Sequence, residues 1–467
     1  MLDPDLIRRT LELAAGRGAD LAELFVEDVR STSAGLDDGR IEDLVSGRDR
    51  GAGIRVVIGD STGFAHTADL SERGLAETAR VAAAAARGST EGARSVAVGS
   101  AVRSHTGPVR IDPATVGKAD KVELLRRADA AARGHHGAVT QVSARVGDVR
   151  RRVLVANTDG VLVADDLTKT TFSVSVVVRG DTGLQTGRHS IGHVGGFELL
   201  DPAAGGFDAE DLALLAARRA VAKLSARPAP SGAMPVVIAG GSGGVLFHEA
   251  CGHGLEADLV DKGASVFAGR RGERVASPLV TLVDDGTMAG EWGHFGFDDE
   301  GNPARRNVLI EAGVLTDYLY DTLRARKAGR PSGGNGRRQS YRHLPMVRMT
   351  NTYITAGDSD PGDIISSTER GVYVAQLGGG QVNTASGDFV FGMTEAYLIE
   401  DGVVTEPLRD GNLIGNGPAA LEAIDAVGND FSMGYPGTCG KDGQGVPVGT
   451  GTPTLRVPSL TVGGTAS

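Results

Sequence analysis

The sequence contains few cysteines, few aromatic residues and no long apolar run. Of 467 residues only two are cysteine, at positions 251 and 439, and aromatic residues make up 4%. Two cysteines exclude a scaffold held together by several disulfides. No apolar run approaches the ~18 residues that a membrane-spanning helix needs, and residues 1–5 lack the apolar stretch of a secretory signal. These absences predict a cytoplasmic protein that does not associate with membranes.

Positively charged residues are fewer than negatively charged ones. Lysine and arginine together number 48, against 59 aspartates and glutamates, which gives a formal net charge of −11 at pH 7. A surface with this excess of acid repels phosphate backbones, so the composition argues against a nucleic-acid partner.

Glycine is abundant and unevenly distributed. Residues 1–230 contain 27 glycines, and residues 231–467 contain 42. Proline and small residues at 227–232 are typical of a linker. We therefore expect two domains, an N-terminal α+β domain over 1–228 and a C-terminal domain over 229–467. The predicted class is α+β, with an antiparallel sheet and packed helices in the first domain and mostly antiparallel strands in the second.

Apolar spacing and turn signals predict the individual elements. Helices are expected over 6–15, 70–86, 118–132 and 208–224. In the first half strands are expected over 53–58, 140–149, 153–156, 161–164 and 171–178. In the second half they are expected over 234–238, 279–283, 308–310, 349–354, 371–376 and 389–399.

One short segment of the second half carries metal-binding chemistry. It reads His248-Glu-Ala-Cys-Gly-His253, whereas zinc-binding helices of the H-E-x-x-H type place the histidines four residues apart. On a regular helix a separation of five turns the second ring by about 140° from the first. Both rings can therefore reach one metal only if the helix widens into a π turn or breaks at Gly252. A glycine-rich turn at 240–244 lacks the lysine of a phosphate-binding loop, and we expect it to aim His248 into a cleft.

A catalytic zinc site needs a third protein ligand and an open position. Cys439, in a glycine-rich segment predicted to be a loop, is the favoured candidate because a thiolate binds zinc strongly. Glu256, Asp258 and Cys251 remain alternatives on chemistry alone. Glu249 is the expected general base, since it adjoins His248 and can take a proton from the attacking water.

The motif and much of the second half resemble the TldD/PmbA family of peptidases, and the TldD branch in particular. Besides 248–258, the segments that carry the resemblance are 334–338, 344–346, 348–353, 378–382, 395–399, 427–430, 439–444, 447–449, 453–456 and 461–464. The resemblance implies a zinc metalloprotease in which His248, His253 and Cys439 bind Zn²⁺ and Glu249 is the base. It also implies a heterodimer with a PmbA/TldE-like paralogue that lacks the metal motif, and substrates that are unfolded peptides.

Substrate contacts are less well defined by the sequence. We expect the peptide to bind in an extended form, as an added strand on a sheet edge. The candidates for contacting it and for stabilising the oxyanion are His294, Asn335, Arg348 and the backbone of Gly378, Gly379 and Gly380.

Two other functions remain open: a non-catalytic or regulatory partner protein, and a metal-dependent amidase that acts on small molecules.

Overall fold

The first half of the chain is organised around a seven-stranded sheet in the computed structural model, which describes residues 2–16, 18–86, 96, 99, 102–181 and 183–464. The main strand order is β3-β2-β1-β5-β6, and both β4 and β7 pair with β6. Its strands are β1 (Leu21–Asp37), β2 (Arg40–Ile58), β3 (Ser61–Thr67), β4 (Arg103–Thr106), β5 (Val139–Asn157), β6 (Leu162–Gly180) and β7 (Gly183–Val194).

Four helices cover this sheet, each close to its predicted place. They are α1 (Pro4–Ala15), α2 (Glu72–Ala85), α3 (Lys118–His135) and α4 (Ala209–Ala222). Alternate residues of β5, such as Val142 and Ala144, pack into a core with α3 and α4. Because side chains alternate across a strand, the intervening residues, Ser143 and Arg145, lie on the opposite face. That face of the sheet is left free to line a cavity.

Two long strands replace four shorter predicted ones. The pattern predicts breaks between 149 and 153 and between 164 and 171, yet β5 and β6 continue through both places. Residues 150–152, at the first of these places, are all arginine. In the structure Arg150 and Arg152 form ion pairs with Asp166 on the neighbouring strand, and cross-strand pairs of opposite charge are compatible with a sheet.

The second half contains a closed barrel and a second sheet. The barrel order is β16-β9-β24-β19-β17, and β17 pairs again with β16 to close it. The second sheet has the order β12-β11-β10-β15-β23-β21, and β22 pairs with β23. The strands are β8 (Arg227–Pro228), β9 (Gly232–Ile238), β10 (Leu282–Asp285), β11 (Arg306–Glu311), β12 (Val314–Leu315), β13 (Gly336–Arg337), β14 (Met346–Val347), β15 (Asn351–Ile354), β16 (Arg370–Val382), β17 (Asp388–Glu400), β18 (Val403–Arg409), β19 (Gly411–Asn416), β20 (Ala426–Val427), β21 (Ser432–Met433), β22 (Gly437–Lys441), β23 (Gln444–Thr452) and β24 (Leu455–Gly464).

Helices in this half are short. They are α5 (Gly244–Phe247), α6 (Ala257–Asp261), α7 (Thr322–Lys327), α8 (Pro361–Ser366) and α9 (Gly417–Ala423). Most strand pairs are antiparallel, although β9 with β16, β15 with β23 and β8 with β18 are parallel. The α+β class is therefore confirmed. Within the described residues, no helix is long and apolar enough to cross a membrane.

Buried ion pairs join the two halves. Arg55 of β2 donates to Glu23 at 2.8 Å and, across the interface, to Glu300 at 2.7 Å. Arg338 from the second half donates to the other oxygen of Glu23. These four side chains are almost fully buried, and removing one partner of such a group leaves a buried charge uncompensated. The network therefore fixes the position of the N-terminal sheet relative to the second half.

Candidate active site

The two motif histidines meet because the helix widens between them. A π-helical turn, His248–Gly252, follows α5, and the His253 N–H donates to the His248 carbonyl five residues earlier. The two imidazole rings lie edge to face with centroids 5.3 Å apart. Gly252 keeps helical dihedral angles, so the structure adopts the π turn and not the break at Gly252. A π turn has more residues per turn, which puts positions i and i+5 on one side.

Glycine in this segment permits close packing. A Cβ atom at Gly252 would lie 2.2 Å from the Met349 sulfur, and one at Gly244 would lie 2.4 Å from the Gly451 backbone nitrogen. Both distances are shorter than van der Waals contact. The absence of side chains thus lets α5 and the π turn lie directly against β15 and β23.

Cys439 reaches the histidines from a β-hairpin. It lies on β22 and pairs with Val446 of β23, so the prediction of a loop at this position is wrong. The ligand atoms of His248, His253 and Cys439 all lie within 4.8 Å of one another, and all three residues are buried. The Cys439 sulfur is 3.4 Å from His253 Nε2. In the described part of the chain this is the group of histidine, cysteine and acidic residues spaced to hold a metal.

The three side chains fit a zinc ion. Both ring nitrogens of His248 are buried and make no hydrogen bond with any described residue, which is costly unless another partner is supplied. Burial of the Cys439 thiol opposes its ionisation, but the neighbouring His248 and His253 outweigh burial and lower the pKa of Cys439 to about 4. One thiolate and two imidazoles are a chemically sound zinc donor set that leaves a fourth position open.

Glu256 contacts the cluster of His248, His253 and Cys439 through His253. Its carboxylate is 3.0 Å from His253 Nδ1 and accepts a hydrogen bond of 2.8 Å from Lys441 Nζ, which also donates to Asp258 at 2.7 Å. Burial would raise the pKa of Glu256, but His253 and Lys441 lower it to about 2. An ionised Glu256 holds the proton of His253 on Nδ1 and leaves Nε2 facing Cys439, the arrangement found where carboxylates orient metal-binding histidines.

This geometry separates the four candidates for the third ligand. Glu256 and Asp258 are engaged by Lys441, and Cys251 is packed in the apolar core, where burial raises the pKa of its thiol. Cys439 is the candidate whose ligand atom lies beside both histidines.

A cavity of about 1020 Å³ opens in front of the cluster. One wall is the free face of the N-terminal sheet, and the other is formed by the second half, including 376–379 and 435–438. His248 and Glu249 both line it. The Glu249 side chain is 30% exposed, and its carboxylate is 3.8 Å from His253 Nε2. Glu249 therefore faces both the cavity and the cluster, where a general base would have to lie.

The residues predicted to contact substrate divide into two groups. Gly378 and Gly379 line the cavity, and Gly380 is exposed next to them in β16. His294, Asn335 and Arg348 are instead buried, with polar atoms already bonded to other parts of the protein. Direct contact with a substrate in this cavity does not fit these three side chains.

Arg348 has a structural position that the sequence does not reveal. Its guanidinium donates to the carbonyl oxygens of Cys439 and Gln444, one on each strand of the hairpin. Lys441 was also missed, although a signal existed: it lies two residues after Cys439, and residues i and i+2 of a strand share a face. Both cations secure the hairpin that carries Cys439.

Family models match nearly the whole described chain. The PmbA/TldA metallopeptidase domain 1 matches residues 22–86, the central domain matches 111–224, and the C-terminal domain matches 231–464. The protein named metalloprotease TldD homolog from Haemophilus influenzae is 41% identical over 99% of this chain and 97% of its own length. A protein named metalloprotease from Methanothermobacter thermautotrophicus is 37% identical, with 96% of each chain covered.

Solved structures show the same fold. TldE from Thermococcus kodakarensis superimposes with a TM-score of 0.78 at 21% identity, over 98% of this chain and 100% of that chain. A Thermotoga maritima protein described as a candidate modulator of a DNA gyrase gives a TM-score of 0.81 at 21% identity, over 98% and 99%. Identity this low carries information about the fold alone. The full-length relatives and the three matching models, which are described as metallopeptidase domains, show that the chain belongs to the TldD/PmbA family.

Proposed function

We propose that the protein is a zinc-dependent peptidase that hydrolyses peptide bonds in unfolded peptides or small proteins. His248, His253 and Cys439 are the proposed metal ligands and Glu249 is the proposed general base. The observation that supports this most strongly is the buried His248 ring, whose two nitrogens have no hydrogen-bond partner among the described residues and which lies beside a cysteine of lowered pKa. The names of the relatives support the metalloprotease class.

Each residue has a distinct task in this proposal. Zinc, when bound, supplies a Lewis acid that activates water and polarises the scissile carbonyl. Glu249 accepts the proton of the attacking water and passes it to the leaving amine, for which its position between cavity and cluster is suited. Glu256 keeps His253 in one tautomer and orientation.

The cavity suits an extended peptide. Its volume of about 1020 Å³ is at the upper end of the ~300–1,000 Å³ typical of small-molecule sites. The register of β16 with β17 shifts between Leu377 and Gly380, so Gly378 and Gly379 fall outside the ladder at the cavity wall. Backbone N–H and C=O groups released by such an irregularity can pair with a peptide strand.

Replacing Glu249 by glutamine tests the proposal. The amide keeps the size of the side chain but cannot accept the proton, so Glu249→Gln should bind one zinc per chain and lose at least about 100-fold in cleavage rate. Glu273→Gln, at an exposed glutamate outside the cavity, is the matched control and should cleave normally. Full peptide cleavage by Glu249→Gln would refute the assigned base.

We further propose that a PmbA/TldE-like paralogue is the partner, because the chain shares its fold with a protein named TldE. Co-expression followed by size-exclusion chromatography should give a 1:1 complex with cleavage above that of the chain alone. Identical activity with and without the paralogue, and no complex at micromolar concentration, would contradict this part of the proposal.

A further inference from the structure

The cavity floor carries opposite charges at its two ends. Asp37 of β1 pairs with Ser143 of β5, Ser143 pairs with Ser175 of β6, and Ser175 pairs with Arg188 of β7. All four residues line the cavity. Because directly paired residues point to the same face of a sheet, they form one row: an acid, two serines and a base.

The length of this row matches a short stretch of extended peptide. Three steps between neighbouring strands, each ~4.8 Å, separate the Asp37 and Arg188 backbones by about 14 Å. An extended chain rises ~3.3 Å per residue, so about four residues cover this distance. The two serines between the charges are small and leave room for a peptide above them.

Both end charges are available to a ligand. Ser143 and Gln141 donate to the Asp37 carboxylate, and these hydrogen bonds lower the pKa of Asp37, which keeps it ionised at neutral pH. Arg188 is exposed. Among the described residues, neither Asp37 nor Arg188 has an ion-pair partner. In contrast, Arg145 on the same floor is paired with Asp43.

Other charged residues near the two ends of the row add to the separation of negative from positive charge. Glu42, exposed in β2, lines the cavity near Asp37, and Lys223, directly after α4, lines it at the Arg188 end. Arg219, also at that end, is already compensated by Glu395 at 2.6 Å. The unpaired charges are thus negative at the β1–β2 side and positive at the β7–α4 side.

We propose that Asp37 and Arg188 are specificity-determining residues that together bind a peptide carrying an ammonium group and a carboxylate about four residues apart. Arg188 holds the carboxylate and Asp37 the ammonium group, and the pair aligns the chain across the floor in front of Glu249. The groups can belong to the two termini of a short peptide or to lysine and acidic side chains of a longer one. This inference rests on the proposed peptidase function.

Binding to the full-length Glu249→Gln protein tests the proposal without requiring cleavage, so its result stands even if the proposed activity fails. Three labelled peptides are compared by fluorescence anisotropy: a tetrapeptide with free termini, a capped peptide with lysine and aspartate four residues apart, and a capped neutral peptide. At least one charged peptide should bind about tenfold tighter than the neutral one, with an advantage that shrinks as salt is added. Whichever of the two charged peptides binds more tightly shows whether peptide termini or side chains supply the ammonium group and the carboxylate.

Single substitutions test whether Asp37 and Arg188 cause the preference for charged peptides. Arg188→Gln and Asp37→Asn should each weaken binding of the charged peptide about fivefold and change the neutral peptide by less than twofold. Arg179→Gln, at an exposed arginine on β6 outside the cavity lining, is the matched control and should change neither. Asp37→Lys should favour a peptide with acids at both positions, a gain that misfolding cannot produce. Equal binding of charged and neutral peptides, or equal losses in Arg188→Gln and Arg179→Gln, would overturn the proposal.

Discussion

Replacing Lys441 by methionine should weaken zinc binding although Lys441 is not a proposed ligand. Lys441 Nζ donates to Glu256 at 2.8 Å, to Asp258 at 2.7 Å and to the Val347 carbonyl at 3.1 Å. Its side chain is only 8% exposed, and that of Glu256 is fully buried. Methionine removes the ammonium group and retains a similar length of apolar chain, so the change is chiefly one of charge and hydrogen bonding.

The size of the effect follows from what remains around Glu256. Without Lys441, the carboxylate keeps His253 as its hydrogen-bond partner, and its other oxygen is already unpartnered among the described residues. Removing one partner of a buried pair costs about 3–5 kcal/mol of stability. Disturbing a carboxylate that orients a metal-binding histidine costs about 10–100-fold in metal affinity, which is about 1.4–2.7 kcal/mol at 25 °C.

The assay is zinc competition against a chromophoric chelator, combined with denaturant unfolding of the zinc-free protein. Lys327→Met is the matched control, since that lysine is 66% exposed and 3.5 Å from its acidic neighbour, and it should leave zinc affinity unchanged. Adding Glu256→Gln to Lys441→Met should recover part of the lost stability, because it removes the uncompensated charge. Zinc affinity within twofold of the unmodified protein for Lys441→Met would show that Lys441 does not support the zinc ligands.

Two further predictions concern the cluster and its support. Zinc-free protein should show thiolate absorbance at pH 7 that disappears only as the pH falls toward 4, because the pKa of Cys439 is lowered to about 4. Cys439→Ser should abolish this absorbance and Cys251→Ser should retain it; loss of the signal already between pH 9 and 8 would contradict the assignment. Gly244→Ala should destabilise the protein by about 1–3 kcal/mol through overpacking, since its Cβ would lie 2.4 Å from the Gly451 nitrogen. Gly137→Ala, where a Cβ meets nothing within 4 Å, should be nearly neutral in the same unfolding experiment.

Local patterns predicted much of the fold because each helix of the first half carries its own apolar stripe. All four, from α1 to α4, lie within a few residues of their predicted bounds. Strands were predicted less completely. The β1 strand was missed, and the Cys439 hairpin was taken for a loop because its glycines resemble turn residues; there, pairing with β23 and the hydrogen bonds of Arg348 overcome a weak local preference.

The sequence also indicated which residues could bind a metal, but not how they meet. The spacing of His248 and His253 allowed a π turn or a break, and packing of Gly252 against Met349 accompanies the π turn. The sequence alone could not predict residues that act through partners distant in the chain. Lys441 donates to Glu256, which is 185 positions away in the sequence. The charged row from Asp37 to Arg188 forms only when four strands are aligned in the sheet.

X-ray absorption spectroscopy of the zinc-loaded protein shows whether two histidines and one cysteine hold the proposed zinc ion. Imidazole nitrogen scatterers are expected at about 2.0–2.1 Å and one sulfur at about 2.3 Å, with the sulfur contribution absent in Cys439→Ser and unchanged in Cys251→Ser. A zinc environment made of nitrogen and oxygen alone in the unmodified protein would contradict this ligand set.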